Sequence, residues 1–124
     1  MASRILIVDD EPNIILSLDF LMKREGFEVV VAGDGERALQ AMADQRPDLV
    51  ILDVMMPKLN GFEVCQRIRA EPAWRGVPVL MLTAKGHETE MKKGLALGAD
   101  AYVTKPFSTR ELVAEIRRLL EARA

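Results

Sequence analysis

ILIVDDEP, residues 5–12, carries four apolar residues straight into two aspartates, a glutamate and a proline. An unbroken run of branched apolar residues reads as a strand covered on both faces, as in a parallel sheet. The acids that follow need a separate explanation. A strand-to-helix turn uses one of them as a cap at most, and neighbouring carboxylates repel. The strand itself is RILIV (4–8), and runs of the same kind recur as EVVVA (28–32), DLVIL (48–52), VPVLML (77–82) and AYVT (101–104). Between them, helical periodicity predicts helices near 11–25, 35–45, 61–71, 87–97 and 108–122.

Helix punctuation agrees with that alternation. Asn60 with Glu63 and Ser108 with Glu111 have capping-box spacing, and Pro12 suits a first turn. Gly26 and Gly98 fall where left-handed C-terminal caps belong. Leu112, Ile116, Leu119 and Leu120 form one apolar stripe, with Arg117, Arg118 and Arg123 toward the negative end of that helix dipole. The chain shows no repeat, low-complexity segment or linker. The expectation is a single α/β domain over residues 1–124, a doubly wound parallel sheet of five strands flanked by five helices with right-handed crossovers.

Composition narrows the function. Of 124 residues 49% are apolar, enough for a packed core and too many for a disordered chain. The 17 basic and 19 acidic residues give a formal charge of −2, and the basic ones are dispersed, which argues against direct nucleic-acid binding. Cys65 is the single cysteine, so no internal disulfide can form and a reducing, cytoplasmic setting is expected. No apolar run approaches the ~20 residues of a membrane span, and none is expected to insert.

In an open parallel sheet, function collects at the carboxyl ends of the strands. Those ends supply Asp9 and Asp10, then Asp53, Thr83 and Lys105; the second strand, ending in Ala32 and Gly33, supplies no functional group. The motifs are VDDEP, ILDVMMPKLNG, MLTAKG and YVTKPFS. Three carboxylates brought together must either hold a proton or surround a cation, and hard oxygen ligands suit Mg²⁺. Asp53 then stands as a nucleophile toward a phosphoryl group, with Mg²⁺ and Lys105 neutralising the transferring oxygens and Thr83 donating a hydroxyl hydrogen bond.

In this order and at these strand ends, the motifs resemble the receiver domain of two-component response regulators, similar to the chemotaxis regulator CheY, over the whole chain. The resemblance implies a flavodoxin-like fold with strand order 2-1-3-4-5. It implies a backbone carbonyl of Met55 in the metal shell, a cis bond before Pro106, and a switch in which Tyr102 follows Thr83. It also implies a sensor histidine kinase or histidine phosphotransfer protein as donor. The signal would leave through the face of the fourth helix, fifth strand and fifth helix, toward a downstream protein or a second copy. Such a domain catalyses only its own phosphorylation and dephosphorylation and is not otherwise an enzyme.

Other readings stand beside these. Asp10 as a helix cap, Asp9 as a solvated acid and Thr83 as a cap are the plain alternatives, and Tyr102 as a half-buried strand aromatic is another. Cys65, Met55, Met56 and Met81 read as packing, His87 as an ordinary residue opening the fourth helix, and Gly61 as serving a turn. A haloacid-dehalogenase-type phosphatase wants an acid two residues past its nucleophile, where this chain has Met55. A flavodoxin-like electron carrier wants a hydroxyl- and glycine-rich first loop and more aromatics than one Trp and one Tyr. The starting methionine and the EARA ending suggest a stand-alone regulator; the alternative is a receiver excised from a longer regulator or hybrid kinase. Met55 and Lys85, two positions past Asp53 and Thr83, stand where chemotaxis regulators carry polar or acidic groups that hold the hydrolytic water. A slowly decaying phosphoryl group is therefore expected.

Overall fold

A computed structural model describes residues 2–56, 59–84, 92–93 and 95–123. Five strands, β1 (Arg4–Val8), β2 (Glu28–Ala32), β3 (Leu49–Asp53), β4 (Val79–Ala84) and β5 (Ala101–Lys105), form one parallel sheet in the order β2-β1-β3-β4-β5. This is the flavodoxin-like order expected. Burial explains why the runs are unbroken: every residue of β3 is buried, and so are Ile5 to Val8 of β1. The edge strands β2 and β5 are only partly covered.

The sheet has two apolar faces, and alternate residues feed each. Leu6, Val8, Val50 and Leu52 pack with α2 (Gly35–Asp44) and α3 (Gly61–Ala70) through Met42, Cys65 and Ile68. Ile5, Ile7, Leu49 and Ile51 pack with α1 (Pro12–Arg24) and the C-terminal helix (Thr109–Arg123) through Leu18, Met22, Leu112 and Ile116. Each such fully buried aliphatic side chain contributes roughly 1.5–3 kcal/mol by leaving water. Cys65 is fully buried, and its packing role stands.

Among the described residues four α-helices have complete bounds, against the five expected. Residues 92–93 and 95–96, inside the fourth helix expected at 87–97, are also helical; His87 lies outside the described residues. The Asn60–Glu63 capping box is present in both directions, at 3.0 and 3.2 Å. Asp34 caps α2 by accepting from the Arg37 N–H at 2.8 Å, and the Ser108 hydroxyl oxygen accepts from the Glu111 N–H at 3.3 Å. Pro12 occupies the first turn of α1, and the chain leaves that helix through Gly26 at φ 90°, a left-handed conformation that costs glycine nothing.

β3 runs through Asp53 instead of stopping at Leu52, and β4 begins at Val79 instead of Val77. The ladder, not the apolar run, sets these ends: the Val54 N–H still donates to the Leu82 carbonyl at 3.1 Å, while Pro78 has no N–H to give. At the far end of the sheet Arg69 ties α3 to β4 and β5. It donates to the carbonyls of Gly98 (2.9 Å) and Val77 (2.8 Å) and pairs with Asp100 at 2.6 Å.

Candidate functional site at the carboxyl edge of the sheet

Register alone brings the candidate residues together. Val8 lies opposite Leu52, so Asp9 and Asp53 are the next residues along adjacent strands. Asp53 lies opposite Leu82, placing Thr83 one residue further on β4, and Lys105 lies opposite Ala84. The Asp9 N–H extends the ladder to the Ala32 carbonyl at 3.2 Å, which fixes its backbone.

Asp9, Asp53 and Thr83 are buried at 0%, 3% and 2% exposure, unusual for two carboxylates unless they are partnered. Lys105 is that partner. Its Nζ lies 3.1 Å from Asp9 Oδ2 and 3.3 Å from Asp53 Oδ1, with Glu11 Oε1 at 3.7 Å. The other Asp9 oxygen, Oδ1, accepts from the Glu11 N–H at 2.9 Å, and Asp53 Oδ1 also accepts from the Met55 N–H at 3.3 Å. The Lys105–Pro106 bond is cis, as expected.

Two plain alternatives fall here. Asp9 is fully buried, so it is not a solvated acid, and the residue at the N-cap of α1 is Glu11, not Asp10. Asp10 is exposed at the rim and offers its carboxylate to the same cluster. One oxygen each from Asp9, Asp10 and Asp53 lie within 4.8 Å of one another. An all-oxygen, multiply charged donor set of this size fits a hard divalent cation such as Mg²⁺, with water or phosphate oxygens completing its shell.

The electrostatics follow from burial and neighbours. Burial, then the charge of Asp9, pushes the Asp53 carboxyl from 3.8 up to about 6, against the pull of Lys105. Burial alone would push Lys105 down, but the Asp53 and Asp9 carboxylates and their hydrogen bonds raise it, so its ammonium stays charged. The repulsion among the acids is therefore relieved from within by a lysine, a solution the three-acid motif alone did not reveal.

Met81 and Met56 are buried packing residues, but Met55 is 60% exposed, which corrects its reading as packing. Its chain position explains this: β3 has ended at Asp53, and the Met55 backbone N–H turns back to Asp53 Oδ1 while the side chain faces solvent. Tyr102 is half-buried on β5 opposite Met81 and packs against the α2–α3 face, two residues before the row of Thr83. Lys85 lies outside the described residues. In the sequence Glu11 has no assigned role, and Gly61 reads only as serving a turn. Glu11 reaches Lys105, and its place in DDEP was the available signal. Gly61 lies so close to the end of β3 that a Cβ would collide with the Asp53 carbonyl and meet the Val54 Cα at 2.8 Å.

This sheet order, with a lysine bridging two buried aspartates beside a third acid at the strand ends, defines a receiver-type fold. Residues 5–117 match the model of the response regulator receiver domain, and the chain belongs to that family. Among curated proteins it is 48% identical over 120 residues to the alkaline phosphatase synthesis transcriptional regulatory protein PhoP of Bacillus subtilis, covering 97% of this chain and 49% of that one. It is also 48% identical to the DNA-binding response regulator MtrA of Mycolicibacterium smegmatis, covering 97% of this chain and 51% of that one. The chain thus spans about half the length of the curated relatives it matches. Among solved structures, a protein described as a response regulator from Chloroflexus aurantiacus superposes with a TM-score of 0.95 at 36% identity, over 98% of this chain and 99% of that one. The chemotaxis protein CheY4 of Vibrio cholerae superposes at 0.91 with 32% identity, over 96% and 99% of the two chains.

Receiver domains take part in two-component signalling, interact with histidine kinases and bind Mg²⁺ at an acidic aspartate cluster; they are generally not catalytic enzymes. The expectation of no direct nucleic-acid contact gains no support from these relatives, since MtrA is named as DNA-binding. Among the described residues no helix is long and apolar enough to cross a membrane.

Proposed function

We propose that residues 1–124 act as one receiver unit in which Asp53 accepts a phosphoryl group from a phosphohistidine of a kinase or phosphotransfer protein. The observation that carries this is the burial of Asp53 in a cluster with the Asp9 and Asp10 carboxylates, with Lys105 bridging Asp53 and Asp9. A carboxylate oxygen of Asp53 attacks phosphorus, the P–N bond to the imidazole breaks, and an acyl phosphate forms. Asp9, Asp10, Asp53 and the Met55 carbonyl would hold Mg²⁺, which supplies charge neutralisation to the phosphoryl oxygens. Lys105, already charged and within 3.3 Å of Asp53, neutralises an oxygen of the same group. Thr83, buried beside them, is the hydroxyl that moves toward the phosphoryl group, and Tyr102 fills the space it leaves.

The output surface is the exposed side of β5 and the C-terminal helix, together with the segment preceding β5. It meets either a downstream protein, a second copy, or further chain of the kind that makes the named relatives twice as long. The exposed Met55 side chain, two residues past Asp53, offers no hydrogen bond to a hydrolytic water, which favours a long-lived phosphoryl group. The test is phosphorylation by acetyl phosphate, with and without Mg²⁺, read by intact mass. The parent gains one phosphoryl group only with the cation, and Asp10→Ala loses both the gain and the Mg²⁺-induced rise in melting temperature. An Asp10→Ala protein that keeps the full Mg²⁺ response rejects the assignment.

A further inference from the structure

We infer that Lys105 is a built-in competitor for the cation site, and that Glu11 is the alternate partner that receives its ammonium when the site fills. The inference rests on the reading of Asp9, Asp10 and Asp53 as the Mg²⁺ ligands. Both oxygens of Asp9 are already engaged, Oδ1 by the Glu11 N–H at 2.9 Å and Oδ2 by the Lys105 ammonium at 3.1 Å. The Oδ1 bond is made by backbone fixed at the start of α1, whereas Oδ2 is held by the end of a flexible side chain. A cation that takes Asp9 through Oδ2 must first break the lysine contact.

Breaking that contact would leave the ammonium, on a side chain only 19% exposed, with Asp53 Oδ1 at 3.3 Å as its one buried partner. The cation would also take that carboxylate, stranding the charge unless another anion were within reach. Glu11 is that anion. Its carboxylate lies 3.7 Å from Nζ and is 61% exposed, so a small swing carries Lys105 outward toward water without leaving it unpaired. Lys105 thereby offsets part of the cluster's negative charge, and the affinity for the cation is set below what the bare carboxylates would give. The same swing leaves the ammonium at the mouth of the site, where an incoming phosphoryl oxygen arrives.

Mg²⁺ titrations of the whole protein, followed by backbone amide shifts, test this in four proteins: parent, Lys105→Gln, Glu11→Gln and the double variant. Lys105→Gln should bind Mg²⁺ roughly tenfold more tightly than the parent. Glu11→Gln should weaken binding in the parent and do so far less in the Lys105→Gln background, because its role acts through the lysine. Unchanged or weaker binding by Lys105→Gln overturns the competition, and an equal effect of Glu11→Gln in both backgrounds overturns the relay. Should Lys105→Gln fail to fold, the Lys105 side-chain resonances of the parent decide: they should shift as Mg²⁺ saturates, and their constancy overturns the inference. A parent that shows no Mg²⁺ response would instead reject the metal-site reading itself.

Discussion

The Asp53 carboxyl is buried beside Asp9, and its pKa rises from 3.8 to about 6 even with Lys105 in contact. The folded state then keeps a proton that the unfolded state loses, so stability falls as pH climbs from about 4 to about 6 and stays lower above. Asp53→Asn keeps the shape and removes that loss. In chelator, denaturant melts should show the variant more stable near neutral pH, by at most ~3 kcal/mol, with the gain shrinking toward pH 4. An Asn variant no more stable than the parent at neutral pH contradicts the electrostatic account. Gly61→Ala should cost roughly 1–3 kcal/mol in the same melts, because its methyl would press on the Asp53 carbonyl. Met55→Asn, which puts a hydrogen-bonding group two residues past Asp53, should speed loss of the phosphoryl group; a ~tenfold change corresponds to ~1.4 kcal/mol of barrier.

At the scale of elements, local chemistry decided what could be read in advance. The Asn60–Glu63 box, the proline opening α1 and the glycine closing it act within a few residues of chain, and each is where the sequence placed it. Strand ends depend on partners far along the chain, so β3 and β4 each differ from their apolar runs by one or two residues. Arg69 is the clearest case of illegibility. An arginine near the end of a helix reads as a solvated charge, yet this one holds three carbonyls and Asp100 in the segments that lead into β4 and β5. Arg69→Ala should destabilise by ~1–3 kcal/mol, since those carbonyls lose their donor, and Arg69→Lys should recover little, having no fork to reach them together. A silent Arg69→Ala melt would show that water replaces the guanidinium at no cost.

For the whole molecule, the site is assembled from Asp9 to Lys105 by the parallel register of β1, β3, β4 and β5. The order of those strands came from family resemblance, because apolar runs show that strands are covered but not which strands are neighbours. The cluster of acids was legible as a cation site; the lysine bridging two of them was not, since its reach depends on fold geometry. The account's central claim is that Asp53 carries the phosphoryl group. Its most direct test is borohydride trapping after phosphorylation, which reduces an acyl phosphate to the alcohol, followed by peptide sequencing by mass spectrometry. The account predicts homoserine at position 53, dependent on Mg²⁺, with Asp9 and Asp10 unchanged. Homoserine at 9 or 10, or none anywhere in a protein that has gained the mass of a phosphoryl group, would contradict it.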